Sequence, residues 1–264
     1  MRALDTHGAI SLEDLNRRTG IAKATLSRIL LTLKSENLAT QRIADKKWVA
    51  GPSIGTDRPD DIARKLLVQV AIPELTKLCR KVIWPSDLSV RSGLCMVLIE
   101  TSRPETTLVF NKLSVGYQVD FLLSATGRAY LAFCPESERC EILGELRNRP
   151  HYDFLFKSGQ MTAVLKRVRD QGYGYRDSRW GGRLNTFRNE YDDGLDAIAV
   201  PIKHEDGILG CVNITWIKSV LSQKEIVDRN LPDLKGTADC IASLFDGEMA
   251  ARNAALGRNG DTEA

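Results

Sequence analysis

Apolar residues recur at helical spacing in two short segments near the start of the chain. In the first segment, Ser11 with an acid three residues later predicts an N-cap, and the helix ends at Gly20. In the second, from residue 23 to 36, a stripe is apolar at positions i, i+3, i+4 and i+7: Leu26, Ile29, Leu30 and Leu33. Gly20 and Asn37 are predicted to adopt the left-handed backbone that ends each helix. This spacing predicts a helix-turn-helix.

The next residues have the pattern of a short hairpin, with strands over 39–42 and 48–50 and a basic tip at 44–47. Basic and hydroxyl side chains lie on this hairpin and largely outside the apolar stripe of the second helix. A basic wing beside a recognition helix is typical of DNA-binding modules, because such side chains contact phosphates and base edges. The helix alone is equally compatible with an ordinary solvated face, and the hairpin favours DNA. The candidate DNA-binding residues are Lys23, Thr25, Ser27, Arg28, Thr32, Arg42, Lys46 and Lys47.

The charge distribution also favours a polyanionic partner. Residues 1–58 contain 10 Lys and Arg against 6 Asp and Glu, whereas the whole chain of 264 residues has a net charge of only +3. The basic excess therefore lies in the front quarter, as in a nucleic-acid-binding segment. The length fits two domains. Because there is no apolar run of about 20 residues and no signal peptide, we expect a cytoplasmic protein that does not contact a membrane.

The six cysteines and three histidines do not form a metal-binding pattern. No C-x-x-C pair and no zinc-finger spacing occurs, so we expect reduced, mainly buried thiols, no metal and no cofactor. The sequence contains no P-loop, dinucleotide-binding or hydrolase motif. A hydrolase that uses Cys134 or Cys211 with His151 is disfavoured because both thiols lie in apolar runs. The residues after the front segment are therefore expected to bind rather than to catalyse.

Beyond a polar linker over 51–61, the pattern alternates between the helices and strands of a mixed α/β domain. One helix begins near Asp60, kinks or restarts at Pro73 and ends near Val82. The sequence leaves open whether this helix pairs with its copy in a dimer or packs on the following domain. Strands are predicted over 87–90, 95–100, 107–111, 196–202 and 208–217, and helices over 126–133, 162–171 and 231–245, before a frayed polar tail from 252.

Two segments of this domain suit a small ligand. Small residues at 124–127 begin a helix whose free N–H groups could bind an anion, although they are equally compatible with close packing on a strand. Asn213 and Thr215 alternate with apolar residues and so share one face of a strand. They would orient a ligand if that face lines a cavity, and would be surface residues if it faces solvent.

The order of these parts resembles the IclR family of bacterial transcription regulators. The likeness covers nearly the whole chain and rests on residues 20–30 (GIAKATLSRIL), 125–132 (ATGRAYLA), 172–174 (GYG) and 198–202 (IAVPI). Three further runs are similar to a subgroup of activators of 3-(3-hydroxyphenyl)propionate catabolism: 82–87 (VIWPSD), 132–136 (AFCPE) and 209–213 (LGCVN).

The resemblance implies an α+β protein that responds to a ligand and regulates catabolic genes. Its expected parts are a winged helix-turn-helix at 1–58, linker helices at 59–82, a GAF-like α/β effector-binding domain at 83–250 and a flexible tail at 251–264. Expected partners are a pseudo-palindromic DNA operator, a small aromatic acid as effector, a second copy in a homodimer or tetramer, and RNA polymerase. Carried over by position, the effector-binding residues are Ala125, Thr126, Leu195, Ala197, Asn213 and Thr215.

Two features depart from the family pattern. The first helix of the module is reduced to residues 1–6, from which we expect either a natural start further upstream or a less stable module. The loop over 176–194 is longer than in the family. We favour a mobile surface loop slightly over a lid whose aromatic residues stack on a ligand, and Asp177 and Trp180 are its candidate contacts. The alternative function is a ligand sensor that acts through protein contacts and carries a degenerate DNA module.

Overall fold

The computed structural model describes residues 2–52, 59–106, 114–205 and 207–260. The first range, which we call the front module, contains three helices and a two-stranded antiparallel sheet. The predicted helix ends are confirmed, since Ser11 accepts the Asp14 N–H at 3.0 Å and the φ angles of Gly20 and Asn37 are 69° and 57°. The elements are α1 Arg2–His7, α2 Leu12–Thr19, α3 Lys23–Ser35, β1 Ala39–Gln41 and β2 Trp48–Ala50.

A small apolar core holds the front module together. Leu26 and Leu30 of α3 are buried in it, and Leu33 packs at its edge. Ile29, which helical spacing assigns to the same stripe, is 42% exposed, so the predicted stripe is wrong at this position. The neighbouring elements are short and cover only a narrow strip of the α3 surface. Leu26 and Leu30, one turn apart, lie within this strip, and Ile29 lies outside it. The buried core residues are Leu4, Ile10, Leu15, Leu26, Leu30, Ala39, Trp48 and Ala50.

A six-stranded sheet, antiparallel at each described pairing, forms the centre of the remaining chain, which is therefore α+β and not an alternating α/β fold. The predicted hairpin of the two long strands is present, and its register places Ala197 opposite Thr215. The predicted strand at 107–111 lies outside the described residues. The spatial order is β5-β4-β3-β8-β7-β6, with β3 Ser86–Ser92, β4 Cys95–Thr101, β5 Gln118–Val119, β6 Gly174–Tyr175, β7 Leu195–His204 and β8 Gly207–Ile217.

Helices cover both faces of this sheet. On one face lie α4 Pro59–Val82 and α9 Gln223–Gly260, and Leu75, Trp216 and Leu234 are fully buried between the helices and the strands. The opposite face is covered by α5 Ala125–Phe133, α6 Glu136–Arg147, α7 Asp153–Lys157 and α8 Gln160–Gln171. Alternate residues along each strand therefore face two different cores.

The helices differ from the prediction in three places. The helix expected to kink or restart at Pro73 does not restart there, because α4 runs through Pro73 and packs on the sheet and on α9, which compensates for the missing N–H. Residues 251–260, predicted as a frayed tail, belong to α9. The charged helices α6 and α7 escaped prediction because their short sequences lack a clear apolar period. Across the described ranges, no helix is both long and apolar enough to cross a membrane.

Candidate functional site

A cavity of about 340 Å³ lies on the α5 side of the sheet, between the strands, the start of α5 and the loop over 176–194. Its floor is formed by three adjacent strands, β3, β8 and β7, each of which contributes two alternate residues. Side chains alternate between the two faces of a sheet, so these residues all lie on the same face. Of the eight predicted effector-binding residues, the seven that line the cavity are Ala125, Thr126, Trp180, Leu195, Ala197, Asn213 and Thr215.

Asn213 and Thr215 belong to a buried polar network in the cavity floor. Asn213 is 6% exposed and donates one amide hydrogen to Asp87 Oδ2 at 3.2 Å and the other to Thr215 Oγ1 at 2.9 Å. Asp87 also accepts bonds from the Arg103 guanidinium at 3.2 and 3.0 Å and from the Thr101 hydroxyl at 2.5 Å. The Asp87 charge is thus balanced by Arg103, and the amide oxygen of Asn213, which has no donor among the described residues, is available to accept from a ligand.

The start of α5 forms another wall of the cavity. The Ser124 hydroxyl accepts the Gly127 N–H at 2.9 Å, and among the described residues nothing accepts from the N–H groups of Ala125 and Thr126. Close packing accounts for the small residues too, since a Cβ on Gly127 would lie 2.0 Å from the Phe121 carbonyl oxygen. The helix start therefore packs tightly, and the N–H groups without an acceptor belong to two residues that line the cavity.

The loop over 176–194, which we call the lid loop, packs as a wall of the cavity and is not a loose surface segment. The Arg176 guanidinium donates to both oxygens of Asp193, at 3.0 and 2.9 Å, and its carbon lies 4.5 Å from the centre of the Trp180 ring. The Tyr117 hydroxyl donates to the Gly182 carbonyl at 2.9 Å. Because the loop is held at its base and at its middle, its residues Trp180 and Tyr191 form part of the cavity wall.

Asp177, the eighth predicted effector contact, does not line the cavity. Its carboxylate forms ion pairs with Arg128, which is 1% exposed, and with Arg179, whose Nε lies 2.9 Å from Asp177 Oδ1. Burial alone would raise the pKa of Asp177, but the hydrogen bonds from Arg179 and the charge of Arg128 hold it well below its usual range. Asp177 therefore anchors the base of the lid loop to α5.

Several cavity residues escaped sequence reasoning: Asp87, Ser89, Leu98, Arg103, Tyr117, Arg176, Arg183 and Asp193. Arg176 and Asp193 lie at the two ends of the unusually long loop. Opposite charges at the two ends of a loop are a sequence feature from which this pair could have been predicted. Arg183 lies over the Tyr191 ring, with Cζ 3.9 Å from its centre, and has no acidic partner among the described residues. Since Asp87 and Asp193 are matched by Arg103 and Arg176, Arg183 leaves the cavity positive.

The two candidate thiols, Cys134 and Cys211, do not support covalent chemistry. Burial raises the pKa of Cys134 to about 11 and places that of Cys211 higher still, so both thiols stay protonated near neutral pH. His151 stacks on Phe187 of the lid loop, with ring centres 4.3 Å apart, and so helps to hold the loop. Within the part of the chain that the structure describes, no group of three or more His, Cys, Asp or Glu could hold a metal ion.

The candidate DNA-binding residues fall into two groups. On α3, Lys23, Arg28 and Thr32 are exposed, while Thr25 and Ser27 are half-buried; Lys23 forms an ion pair with Glu13 of α2. On the turn over 42–47, which we call the wing turn, each basic residue faces an acid. Arg42 and Lys47 face Asp45, and Lys46 lies 2.6 Å from Glu105.

The wing turn also contacts the main sheet through its backbone. Glu100 of β4 is fully buried and accepts the N–H groups of Ile43 at 3.1 Å and of Ala44 at 2.9 Å. The Ile43 side chain is 5% exposed and joins the apolar core beneath α4 and α9. Burial raises the pKa of the Glu100 carboxyl, although three backbone N–H groups oppose this effect.

Comparisons with known proteins identify the chain's relatives. The family described as "Bacterial transcriptional regulator IclR C-terminal" matches residues 61–243. The chain is 28% identical over 204 residues to the HTH-type transcriptional regulator Rv1719 of Mycobacterium tuberculosis, covering 77% of this chain and 73% of the relative. It is 25% identical over 233 residues to the probable HTH-type transcriptional regulator ArcR of Halobacterium salinarum, covering 84% and 82%.

Two solved structures have a fold similar to that of this chain. The Thermotoga maritima IclR matches with a TM-score of 0.56 at 19% identity, over 90% of this chain and 92% of that one. An IclR-family transcriptional regulator from Brucella abortus matches with a TM-score of 0.54 at 23% identity, over 90% and 86%. These relatives and fold neighbours are transcriptional regulators and not enzymes. The chain belongs to the IclR family of bacterial transcriptional regulators.

Proposed function

We propose that this regulator binds DNA through its front module and a small aromatic carboxylate in the cavity, and that the carboxylate changes the DNA-binding geometry. In this proposal, residues 1–58 form a winged helix-turn-helix, 59–82 a linker and 83–250 the effector-binding domain. The active form is a homodimer or tetramer on a pseudo-palindromic operator, and RNA polymerase is its further partner.

The arrangement of the front module supports the DNA-binding part. The exposed face of α3 carries Lys23, Arg28 and Thr32, and the wing follows directly in the chain. Two relatives have HTH-type names. Leu4 of α1 is 3% exposed in the module's core, which argues against a degenerate module that acts only through protein contacts.

The observation that carries the effector part is the cavity itself, which combines a helix start whose first N–H groups have no acceptor among the described residues with aromatic side chains in its walls. The N–H groups of Ala125 and Thr126 suit a carboxylate, and Arg183 adds a net positive charge. Tyr117, Trp180 and Tyr191 offer ring faces or edges to an aromatic ligand. A hydroxyl substituent on the ring could donate to the amide oxygen of Asn213.

Thermal unfolding in the presence of candidate acids tests this proposal. A ligand that binds only the folded protein raises the melting temperature, by an amount that grows with its concentration above Kd. We expect hydroxylated phenylpropionates and benzoates to raise it and aliphatic acids of equal charge to have little effect. Equal shifts with aliphatic acids, or no shift with any aromatic acid, would contradict the aromatic effector and leave the DNA-binding part standing.

A further inference from the structure

We propose that the wing turn has two alternative partners: Glu100 and Glu105 of the effector domain in the DNA-free protein, and DNA phosphates in the complex. The docked wing turn then holds the module in a conformation that binds DNA weakly. This inference rests on the proposed function, since it needs the front module to bind DNA.

The contact has the features of a specific docking site. Two consecutive amides, Ile43 and Ala44, donate to one carboxylate, and the Ile43 side chain enters the core of the other domain. Hydrogen bonds to an ionised acceptor are about twice as strong as neutral ones. The Glu100 carboxylate is satisfied by wing amides and its own neighbour Thr101, so it has a full set of partners only while the wing turn is docked.

Docking conflicts with binding of DNA by the same residues. Lys46, a candidate phosphate contact, is 2.6 Å from Glu105, and Arg42 is paired with Asp45. A basic side chain that already faces an acid gains less from a phosphate, because the acid repels the phosphate or must first be displaced. Water can replace the wing amides around Glu100 when the wing turn leaves, so neither state strands a buried charge.

One residue of β4, Thr101, connects the docking site to the cavity by hydrogen bonds to both. Glu100 and Thr101 are consecutive in β4, so their side chains point to opposite faces of the sheet. The Thr101 N–H donates to Glu100 Oε1 at 2.9 Å, while its hydroxyl donates to Asp87 in the cavity floor at 2.5 Å. A ligand that shifts Asp87 would therefore act on the residue that supports the docked carboxylate, which gives the cavity a direct route to the wing turn.

Glu100→Gln is the variant that tests this proposal, because it keeps the shape and removes the charge. The matched control is Glu145→Gln, an exposed position on α6 at the opposite face of the sheet. Amide hydrogen exchange at Ile43 and Ala44 reports docking, and fluorescence anisotropy with a labelled duplex of arbitrary sequence reports phosphate binding. We expect Glu100→Gln to speed exchange at both amides and to tighten duplex binding, each by about tenfold, while the control changes neither.

Three results would overturn the proposal. Unchanged exchange in Glu100→Gln would mean that the amides do not depend on this carboxylate. Faster exchange with equal or weaker duplex binding would mean that docking does not oppose DNA. Absence of duplex binding at low salt by both the wild-type protein and Glu100→Gln would reject the DNA-binding function itself, which is a separate failure.

A second measurement avoids any folding defect of the variant. In the wild-type protein, adding the duplex should speed exchange at Ile43 and Ala44, because DNA and Glu100 compete for the wing turn. Protection that stays constant or increases on DNA would contradict the competition. Glu105→Gln, which frees Lys46 without touching a buried group, should tighten duplex binding in the same direction.

Discussion

Arg176 and Asp193 stand at the two ends of the lid loop and are joined by two N–H···O bonds of 3.0 and 2.9 Å. The same guanidinium donates to the Trp180 carbonyl at 2.9 Å and lies over the Trp180 ring. This pair therefore helps a loop of nineteen residues to form a cavity wall, and it positions Trp180, one of the aromatic side chains that line the cavity. Removing either partner should affect both stability and ligand binding.

Asp193→Asn should lower the free energy of unfolding by about 3 kcal/mol, because it leaves the buried Arg176 without its counter-charge. It should also weaken effector binding, since the lid loop loses its closed conformation. Chemical denaturation and effector titration measure the two effects. The exposed Glu190→Gln in the same loop is the control and should leave both unchanged. Wild-type affinity in Asp193→Asn would show that the closed loop is not needed for binding.

Arg28→Ala should weaken operator binding by about tenfold or more without changing effector affinity. Arg28 is exposed on α3, far along the chain from any residue that lines the cavity. Anisotropy at several salt concentrations would distinguish loss of a phosphate contact, which lowers the salt dependence of binding, from loss of a base contact, which leaves it nearly unchanged. Lys224→Ala on α9 removes an equal charge from an exposed site and serves as the control. Equal losses of DNA and effector binding would contradict two separate sites.

Asn213→Leu should raise the Kd for the effector by more than about tenfold, because it replaces the polar centre of the cavity floor with an apolar side chain. Asp87 keeps its bonds from Arg103 and Thr101, so the fold should survive. Isothermal titration with the acid that gives the largest thermal shift measures the change. Thr215→Val, which removes one acceptor of the Asn213 amide, should have a smaller effect in the same direction. An unchanged Kd in Asn213→Leu would remove this residue from the site.

Asp177→Asn tests the anchor at the base of the lid loop through the pH dependence of stability. Because the folded-state pKa of Asp177 is depressed, its stabilisation is complete above the unfolded value of about 3.9 and is lost as pH falls through the folded pKa. The difference in free energy of unfolding between wild type and variant should therefore be largest above about pH 5 and shrink below about pH 4.

The matched variant is Asp170→Asn, an exposed carboxylate paired with Lys166 on α8. Its effect on the free energy of unfolding should stay below about 0.5 kcal/mol at neutral pH. A difference for Asp177→Asn that does not vary with pH would mean that the ion pairs with Arg128 and Arg179 do not stabilise the fold through charge.

The sequence alone determined the features that depend on nearby residues. The caps at Ser11, Gly20 and Asn37 follow from local hydrogen bonding and backbone preference, and the hairpin of β7 and β8 follows from strand periodicity across a short turn. Strand alternation also placed Asn213 and Thr215 on one face, which the structure describes as the cavity floor. The continuous α4, the length of α9 and the exposed Ile29 were decided by which surfaces their neighbours cover.

Only the tertiary structure decided which distant charges meet. Asp87 and Asn213 are 126 positions apart, and the wing turn reaches Glu100 across 56, so no local pattern could pair them. The same holds for Asp177, whose place near the start of the lid loop suggested a ligand contact. Its carboxylate pairs with Arg128, 49 positions earlier. A buried guanidinium without a counter-charge costs several kcal/mol, and this pairing removes that cost. Burial and pairing of charge are properties of the folded chain, and they set the chemistry of this cavity.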